Sequence, residues 1–493
     1  MNTAILFDTM SIQQYVFGSN KLKDNLGASY IVEHVYKYLE EKVGIKSNEL
    51  DIGYIGGGNA LFFTTSEKKA KEIVKEFTTE ILWKFSGLSV AAAVKGDFIN
   101  EIDDYQSAIH KLFQALAENK GKHIPINTIS SHGITDVCRF SSLSVENIQV
   151  YPDGKIELMS SLTAAKRLSE NEVLKLGSAL IKESKIPNIY QFADELDHLG
   201  QKKGEDSHIA VVHIDGNGFG KHFVNKESVR ETKELSEKVK KAVKTAFIHL
   251  LLSYSENEEK IKHLLGDYNY YNNILPIRPI ILGGDDVTFV CHGKLGIWFA
   301  EKFMENFNSN YIDDDSEIPF SSCAGIAVVK TKYPFYRAYQ LAEELCNSAK
   351  SRRKKFMEEK ETTDGGNWID FQLAYSGLGN TLEEVRSLQY NNVAGFNRPY
   401  KIEDSESEYS FDKLKCLSDK LKAALPNSKI KDLREMLTKD KPSLNSFFEH
   451  LKHQHEDFKR DFATNNSTDI DTESNPFFDM IELLELYPTN LFK

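Results

Sequence analysis

Two apolar runs, Pro279-Ile280-Ile281-Leu282 and Val287-Thr288-Phe289-Val290, are separated only by Gly283-Gly284-Asp285-Asp286. So short a spacer reads as strand, tight turn, strand, with glycine supplying backbone angles closed to other residues. The turn presents two adjacent carboxylates, which repel each other unless a cation is bound there. Hard oxygen ligands on a rigid hairpin suit Mg²⁺ or Mn²⁺ with a polyphosphate. Taken alone, the four residues read equally as a solvated polar turn.

The same device occurs earlier, as Asp51-Ile52-Gly53-Tyr54-Ile55, Gly56-Gly57-Gly58-Asn59 and Ala60-Leu61-Phe62-Phe63. Each hairpin sits in the same order of elements. The first set runs from a strand at 4–7 ending in Asp8, through a helix over 21–43 and the hairpin, to a helix over 67–84, a strand at 88–95 and a helix over 102–118. The second has a strand at 208–215 ending in Asp215, a helix over 229–252 with Leu235, Val239, Val243 and Phe247 four apart, and the GGDD hairpin. A helix over 295–307, a strand at 322–329, a helix over 334–357 and a last strand at 368–373 follow. The periods predict an α/β (α+β) fold with two ferredoxin-like βαββαβ units and antiparallel sheets.

Between the units, 125–205 is irregular, with turns at 130–133 and 151–154 and a helix over 162–183. Beyond an acidic linker at 403–408, helical periodicity interrupted at Pro426 and Pro442 predicts a C-terminal helical bundle. The expected divisions are 1–124, 125–205, 206–402 and 403–493. A length of 493 residues by itself suggests roughly three domains.

The net charge of −12 argues against a nucleic-acid surface held by charge alone. The five cysteines are widely spaced with no CxxC, which predicts reduced thiols in the cytoplasm rather than disulfides or a cysteine zinc site. No segment is apolar for long enough to span a bilayer, and Met1 to Asp8 reads as a first strand, not a signal peptide.

In such a sheet Asp215 faces Asp285 and Asp286 across neighbouring strands. Three converging carboxylates can hold two divalent ions, which activate a ribose 3′-hydroxyl and neutralise a departing pyrophosphate. Gly216-Asn217-Gly218-Phe219-Gly220 follows Asp215 directly, a glycine-rich loop whose backbone N–H groups, with Gly283 and Gly284 opposite, can hold phosphate.

The stretches from Ala210 to Lys221 and from Arg278 to Val287 resemble the catalytic palm of the large subunit of type III CRISPR effector complexes, a polymerase and cyclase family related to diguanylate cyclases. Ser322 to Ala327, Lys332-Tyr333-Pro334, Leu341 to Lys350 and Asn397-Arg398-Pro399-Tyr400 continue the resemblance. Leu6 to Thr9, Ser19 to Lys23, Gly27 to Tyr30 and Gly56 to Ala60 resemble the family's first palm.

The resemblance implies a cyclic oligoadenylate synthase in which two facing palms bind two ATP molecules. The GGDD palm joins them 3′–5′ with release of pyrophosphate. Asp215, Asp285 and Asp286 would bind metal. Lys350, and less directly Arg352-Arg353-Lys354-Lys355, would lie near the triphosphate, although a basic run at a helix end also reads as solvated surface. Gly57, Gly58 and Asn59 would hold an acceptor nucleotide or only support the fold. Effector subunits with guide and target RNA are the implied partners.

The sequence also departs from the family. Gly58-Asn59 stands where the second unit has Asp285-Asp286, no His-Asp dipeptide exists, and Cys138 stands alone where the family has zinc-binding cysteines. No DNase activity is expected, and His123, His132, His198 and His208 show no ligand spacing. Two other functions fit the same residues: a stand-alone cyclic-dinucleotide synthase of a non-CRISPR defence system, and a scaffold subunit binding guide and target RNA.

Overall fold

The computed structural model describes residues 3–39, 41, 50–98, 105–122, 133–151, 154–200, 207–265, 273–312, 319–374, 381–390, 395–403, 409–463 and 475–487. Residues 130–132 of the first expected turn, the centre of the one at 151–154, His123, His132 and most of the acidic linker lie outside these residues.

The first unit comprises β1 (Thr3–Met10), α1 (Ile12–Phe17), α2 (Leu22–Leu39), β2 (Asp51–Gly56), β3 (Asn59–Thr64), α3 (Glu67–Lys84), β4 (Ser89–Lys95) and α4 (Tyr105–Gly121). Its sheet order is β2-β3-β1-β4. There follow β5 (Asn147–Val150), β6 (Ile156–Met159), α5 (Ser161–Arg167), α6 (Glu170–Glu183), β7 (Gln191–Phe192) and α7 (Asp197–Gly200).

The second unit comprises β8 (His208–Gly216), α8 (Phe219–Val224), α9 (Val229–Glu256), α10 (Glu258–Leu265), β9 (Ile274–Leu275), β10 (Ile277–Gly283), β11 (Asp286–His292), α11 (Gly296–Asn308), β12 (Ser322–Lys330), α12 (Phe335–Glu359), β13 (Trp368–Leu373), α13 (Leu382–Gln389) and β14 (Tyr400–Lys401). Its order, β10-β11-β8-β12, repeats that of the first sheet, and β13 and β14 extend it; β13 runs parallel to β12, so the sheet is mixed rather than antiparallel throughout as expected. Helices α14 (Phe411–Ala424), α15 (Asn427–Met436), α16 (Lys441–Gln454), α17 (Glu456–Phe462) and α18 (Phe477–Leu486) complete the chain.

Local chemistry sets the helix starts. Ser66, Ser228, Thr381 and Ser410 each accept a hydrogen bond from a first-turn backbone N–H, satisfying a donor the helix leaves open. Burial sets the packing. One face of the second sheet, with Phe289, Phe299 and Phe303, shares a continuous core with Phe411, Phe448, Phe477 and Met480 of the C-terminal helices. Those helices are thus built onto the sheet rather than standing apart from it. The opposite face packs on the first unit, joining Val211, Val290 and Leu345 to Phe7, Phe62 and Phe77. The two units cross-brace reciprocally: Ser29 Oγ of α2 donates to the Ile280 carbonyl at 2.5 Å, and Lys240 Nζ of α9 donates to the Ile55 carbonyl.

A buried ionic knot ties α18 to the second sheet. Arg398 donates to Asp479 at 2.9 Å, Glu482 at 2.7 Å and the Phe371 carbonyl at 2.6 Å, and all three side chains are fully buried. The β5–β6 hairpin is inverted. Its cross-strand pairs Ile148–Leu158 and Val150–Ile156 face solvent, while Glu157 turns inward to Arg167.

Candidate active site

The strand order brings the GGDD hairpin beside β8. Asp286 is the direct register partner of Asp215, so the two carboxylates leave the same face of adjacent strands. Cys323 flanks Asp215 on its other side. Gly284 turns at φ 62°, as the tight turn requires. Gly216 N donates to the Asp285 carbonyl at 3.0 Å, locking the strand end to the turn. A side chain at Gly216 has no room: its Cβ would lie 2.5 Å from the Phe219 ring and 2.9 Å from Asp285 Cβ.

The first sheet reproduces this frame without the hairpin acids. Asp8 faces Asn59 in the same register, and Thr9 N donates to the Gly58 carbonyl at 2.8 Å. The two hairpin tips meet, with Gly284 against the backbone of Gly57. Each strand-one aspartate is paired with a lysine from the helix after the fourth strand. Lys120 of α4 lies 2.6 Å from Asp8, and Lys350 of α12 is bonded to Asp215.

Asp286 is the unusual group. A third of its side chain is open (36%), but Oδ1 is enclosed and lacks an aligned hydrogen-bond donor. That enclosure, then Asp285, then Glu343, pushes its carboxyl up to about 7. Burial also raises Asp285 and lowers the Lys350 ammonium. His213 Nδ1 lies 3.4 Å from Asp286 Oδ1 and 3.3 Å from Thr288 Oγ1. Burial, then Lys350, pushes the imidazole down to about 4, so it stands neutral behind the carboxylate.

The fit to a divalent cation is good at one point and incomplete at another. Two in-register carboxylates, one with an enclosed and undonated oxygen, are what a hard cation would satisfy. Among the described residues, however, no three carboxylate, histidine or cysteine side chains are gathered into a metal cage. Asp215 and Asp286 are register partners with the Lys350 ammonium on Asp215, and Asp285 stands beside them on the turn.

The glycine loop is partly committed to structure. Asn217 donates its N–H to the Ser321 carbonyl at 2.8 Å and its amide to Ser321 Oγ at 3.2 Å, while accepting from Cys323 Sγ. Phe219 is buried against Phe307 and Phe320, so its ring serves the core. Gly218 takes φ 76° at the start of α8, and Gly220 is open on its side-chain face. Gly283 borders Ile281 alone, and Gly58 is pressed by Ile12. Of the basic run, Arg352 pairs with Glu359 and stacks on Tyr409, and Arg353 donates to the Gly366 carbonyl.

Sequence reasoning missed His213, Glu343, Tyr339 and Lys120. The signal was present for three of them. His213 precedes Asp215 by two residues, hence shares its face of the strand. Tyr339, Glu343 and Lys350 recur at helical spacing along α12. Nothing in the sequence marked Lys120.

Comparison with known proteins gives the same direction. Residues 208–357 match the family model of the Cas10/Cmr2 second palm domain. The backbone resembles Csm1 in T. onnurineus (13% identity, TM-score 0.54) and a Csm1-Csm4 cassette in complex with pppApA (12%, TM-score 0.55). It also resembles that cassette in complex with one ATP (13%, TM-score 0.53). Each match covers 98% of this chain and 69% of the other. At such identities the likeness concerns the fold. No curated protein matches the sequence.

Proposed function

We propose that this chain is a divalent-metal-dependent nucleotidyltransferase that joins ATP into cyclic oligoadenylate second messengers for type III CRISPR-like antiviral defence. The observation that carries the reading is the in-register pair Asp215–Asp286, with its enclosed and undonated oxygen, on the hairpin of the segment matching the Cas10/Cmr2 second palm. The solved relatives complexed with ATP and pppApA support the substrate class.

Asp215 and Asp286, with Asp285 on the turn, would hold Mg²⁺ or Mn²⁺. When bound, such an ion lowers the pKa of a 3′-hydroxyl and offsets charge on a leaving pyrophosphate. The chain's own residues do the rest. Asp215 and Asp286 must ionise fully, which the raised carboxyl of Asp286 opposes until positive charge arrives. Lys350 releases Asp215 and turns its ammonium to the phosphates. Gly216 to Gly220 and Gly283-Gly284 approach the triphosphate closely because they carry no side chains. Gly57, Gly58 and Asn59, with Asp8 and Lys120 behind them, form the acceptor half, which lacks the hairpin carboxylates.

The test is pyrophosphate release from ATP with Mg²⁺ or Mn²⁺, with and without RNA, and product identification by mass spectrometry. The Asp285→Ala/Asp286→Ala variant is expected to abolish product. No product from the wild-type protein under any condition refutes the reading.

One observation favours a second reading, a scaffold role alongside or instead of catalysis. The outward aliphatic face of β5–β6 suits cover by a partner protein, and a relative is solved with Csm4. Copurification of small subunits and guide RNA with the Asp285→Ala/Asp286→Ala variant would support it.

A further inference from the structure

The catalytic hairpin is backed by a chain of aromatic contacts that begins in the other unit. Tyr339 of α12 is 1% exposed. Its ring meets His213 edge-on at 5.6 Å and 77°, on the imidazole whose Nδ1 lies 3.4 Å from Asp286 Oδ1. On its other side it stacks on Phe17 of α1, with centroids 3.7 Å apart and planes 18° apart. Helix α1 is held in turn at three places. Ile12 lies against Gly58 of the first hairpin, Lys166 Nζ of α5 donates to the Tyr15 carbonyl at 2.6 Å, and Phe17 also borders Phe335. Ser11, just before the helix, holds φ 50° and ψ 42°, a left-handed conformation that a serine keeps only when its surroundings impose it.

We infer that Tyr339 is a positioning residue, which fixes His213 against Asp286 and is itself fixed by Phe17, so that the metal-binding geometry of the GGDD hairpin depends on α1 of the first unit. The inference rests on the proposed role of Asp286 as a metal ligand. Its physical basis is that groups behind a ligating carboxylate set its orientation, and their loss typically weakens metal binding by about 10–100-fold. Packed aromatic rings transmit displacement because a close-packed contact resists compression.

The experiment compares wild type, Tyr339→Phe, Tyr339→Leu and Phe17→Leu. Mn²⁺ affinity is read from the free-ion paramagnetic signal, turnover from pyrophosphate release, and folding from thermal melting. Tyr339→Leu is expected to weaken Mn²⁺ about 10-fold and to lower kcat similarly, with the KM for ATP within about 2-fold. Tyr339→Phe keeps the ring and should restore both values. Phe17→Leu, which touches neither His213 nor Asp286, should shift both the same way by a smaller factor.

Folded Tyr339→Leu with unchanged Mn²⁺ affinity would overturn the positioning role. Failure of Tyr339→Phe to restore affinity would also do so, since the ring is what the inference invokes. Wild-type protein that holds no Mn²⁺ would remove the positioning role and the metal site together. Mn²⁺ bound by wild type and weakened in Tyr339→Leu, without turnover in any variant, would leave the inference standing and remove only the proposed reaction.

Discussion

Replacing Arg398 by methionine tests how the C-terminal helices are held. The guanidinium makes three hydrogen bonds of 2.6–2.9 Å, two of them to carboxylates buried at 0% exposure. Without it, Asp479 keeps Tyr400 at 2.6 Å and the Asn397 N–H at 2.7 Å, and Glu482 keeps Tyr390 and Arg434. One buried negative charge is then left without a full partner. Removing one member of a buried ion pair costs about 3–5 kcal/mol, a large part of a typical stability of roughly 5–15 kcal/mol.

Burial already raises the Asp479 carboxyl despite Arg398, and the loss of that cation raises it further. A carboxyl whose folded pKa lies above its unfolded value binds protons more tightly in the folded state. Stability therefore falls as pH rises from the ordinary aspartate value of 3.8 through the folded value, and the defect should grow with pH above that ordinary value. Urea unfolding followed by the fluorescence of the buried Trp298 and Trp368 measures it. Adding Asp479→Asn to Arg398→Met should recover at least half of the loss. A loss under about 1 kcal/mol, or no recovery in the double variant, refutes the account of the knot as a charge-compensated lock.

Gly216→Ala places a Cβ 2.5 Å from the Phe219 ring and 2.9 Å from Asp285 Cβ. It should cost about 1–3 kcal/mol by overpacking and displace Asp285, lowering pyrophosphate release; unchanged release refutes the close packing. Lys350→Gln should lower kcat/KM for ATP on the order of 100-fold, with partial recovery in Lys350→Arg, because a cation at the reacting phosphates is lost; steady-state kinetics decide. Lys166 is buried and pushed down to about 8, against an unfolded value of 10.5. Between those values the unfolded chain holds the proton and the folded one does not, so wild-type stability rises with pH by up to about 1 kcal/mol per unit. Lys166→Met should lack that slope in denaturation from pH 8 to 10, and parallel profiles refute it.

Much of the site was legible because its signals are short-range. A glycine turn between two β-prone runs defines the hairpin, continuous apolar runs mark β8 and β11, and the same order of elements around both hairpins gave two units of the same topology. The aspartate ending β8 and the one opening β11 could be paired from topology alone, and the register bears this out for Asp215 and Asp286. The expectation failed where a local pattern has two outlets. Phe219 stands in a glycine loop, yet its ring fills the core beside Phe307 and Phe320. Asp215, Asp285 and Asp286 were read together, and the structure adds that Asp285 is on the turn and Asp286 on the strand.

By itself the sequence determined the two units, the hairpin and which of the two hairpins carries acids, since each follows from residues within one turn or one strand of each other. Only the tertiary structure decided what these residues meet. Lys350 reaches Asp215 and Phe17 reaches Tyr339 because helices pack across sheets whose strands are not neighbours in sequence. The C-terminal helices share a core with the second sheet because each buries one apolar face, and periodicity tells that such a face exists without telling which surface covers it. For the same reason the sequence located the carboxylates of the candidate site, whereas the backing of Asp286 by His213, Tyr339 and the first unit appears only once the chain is folded.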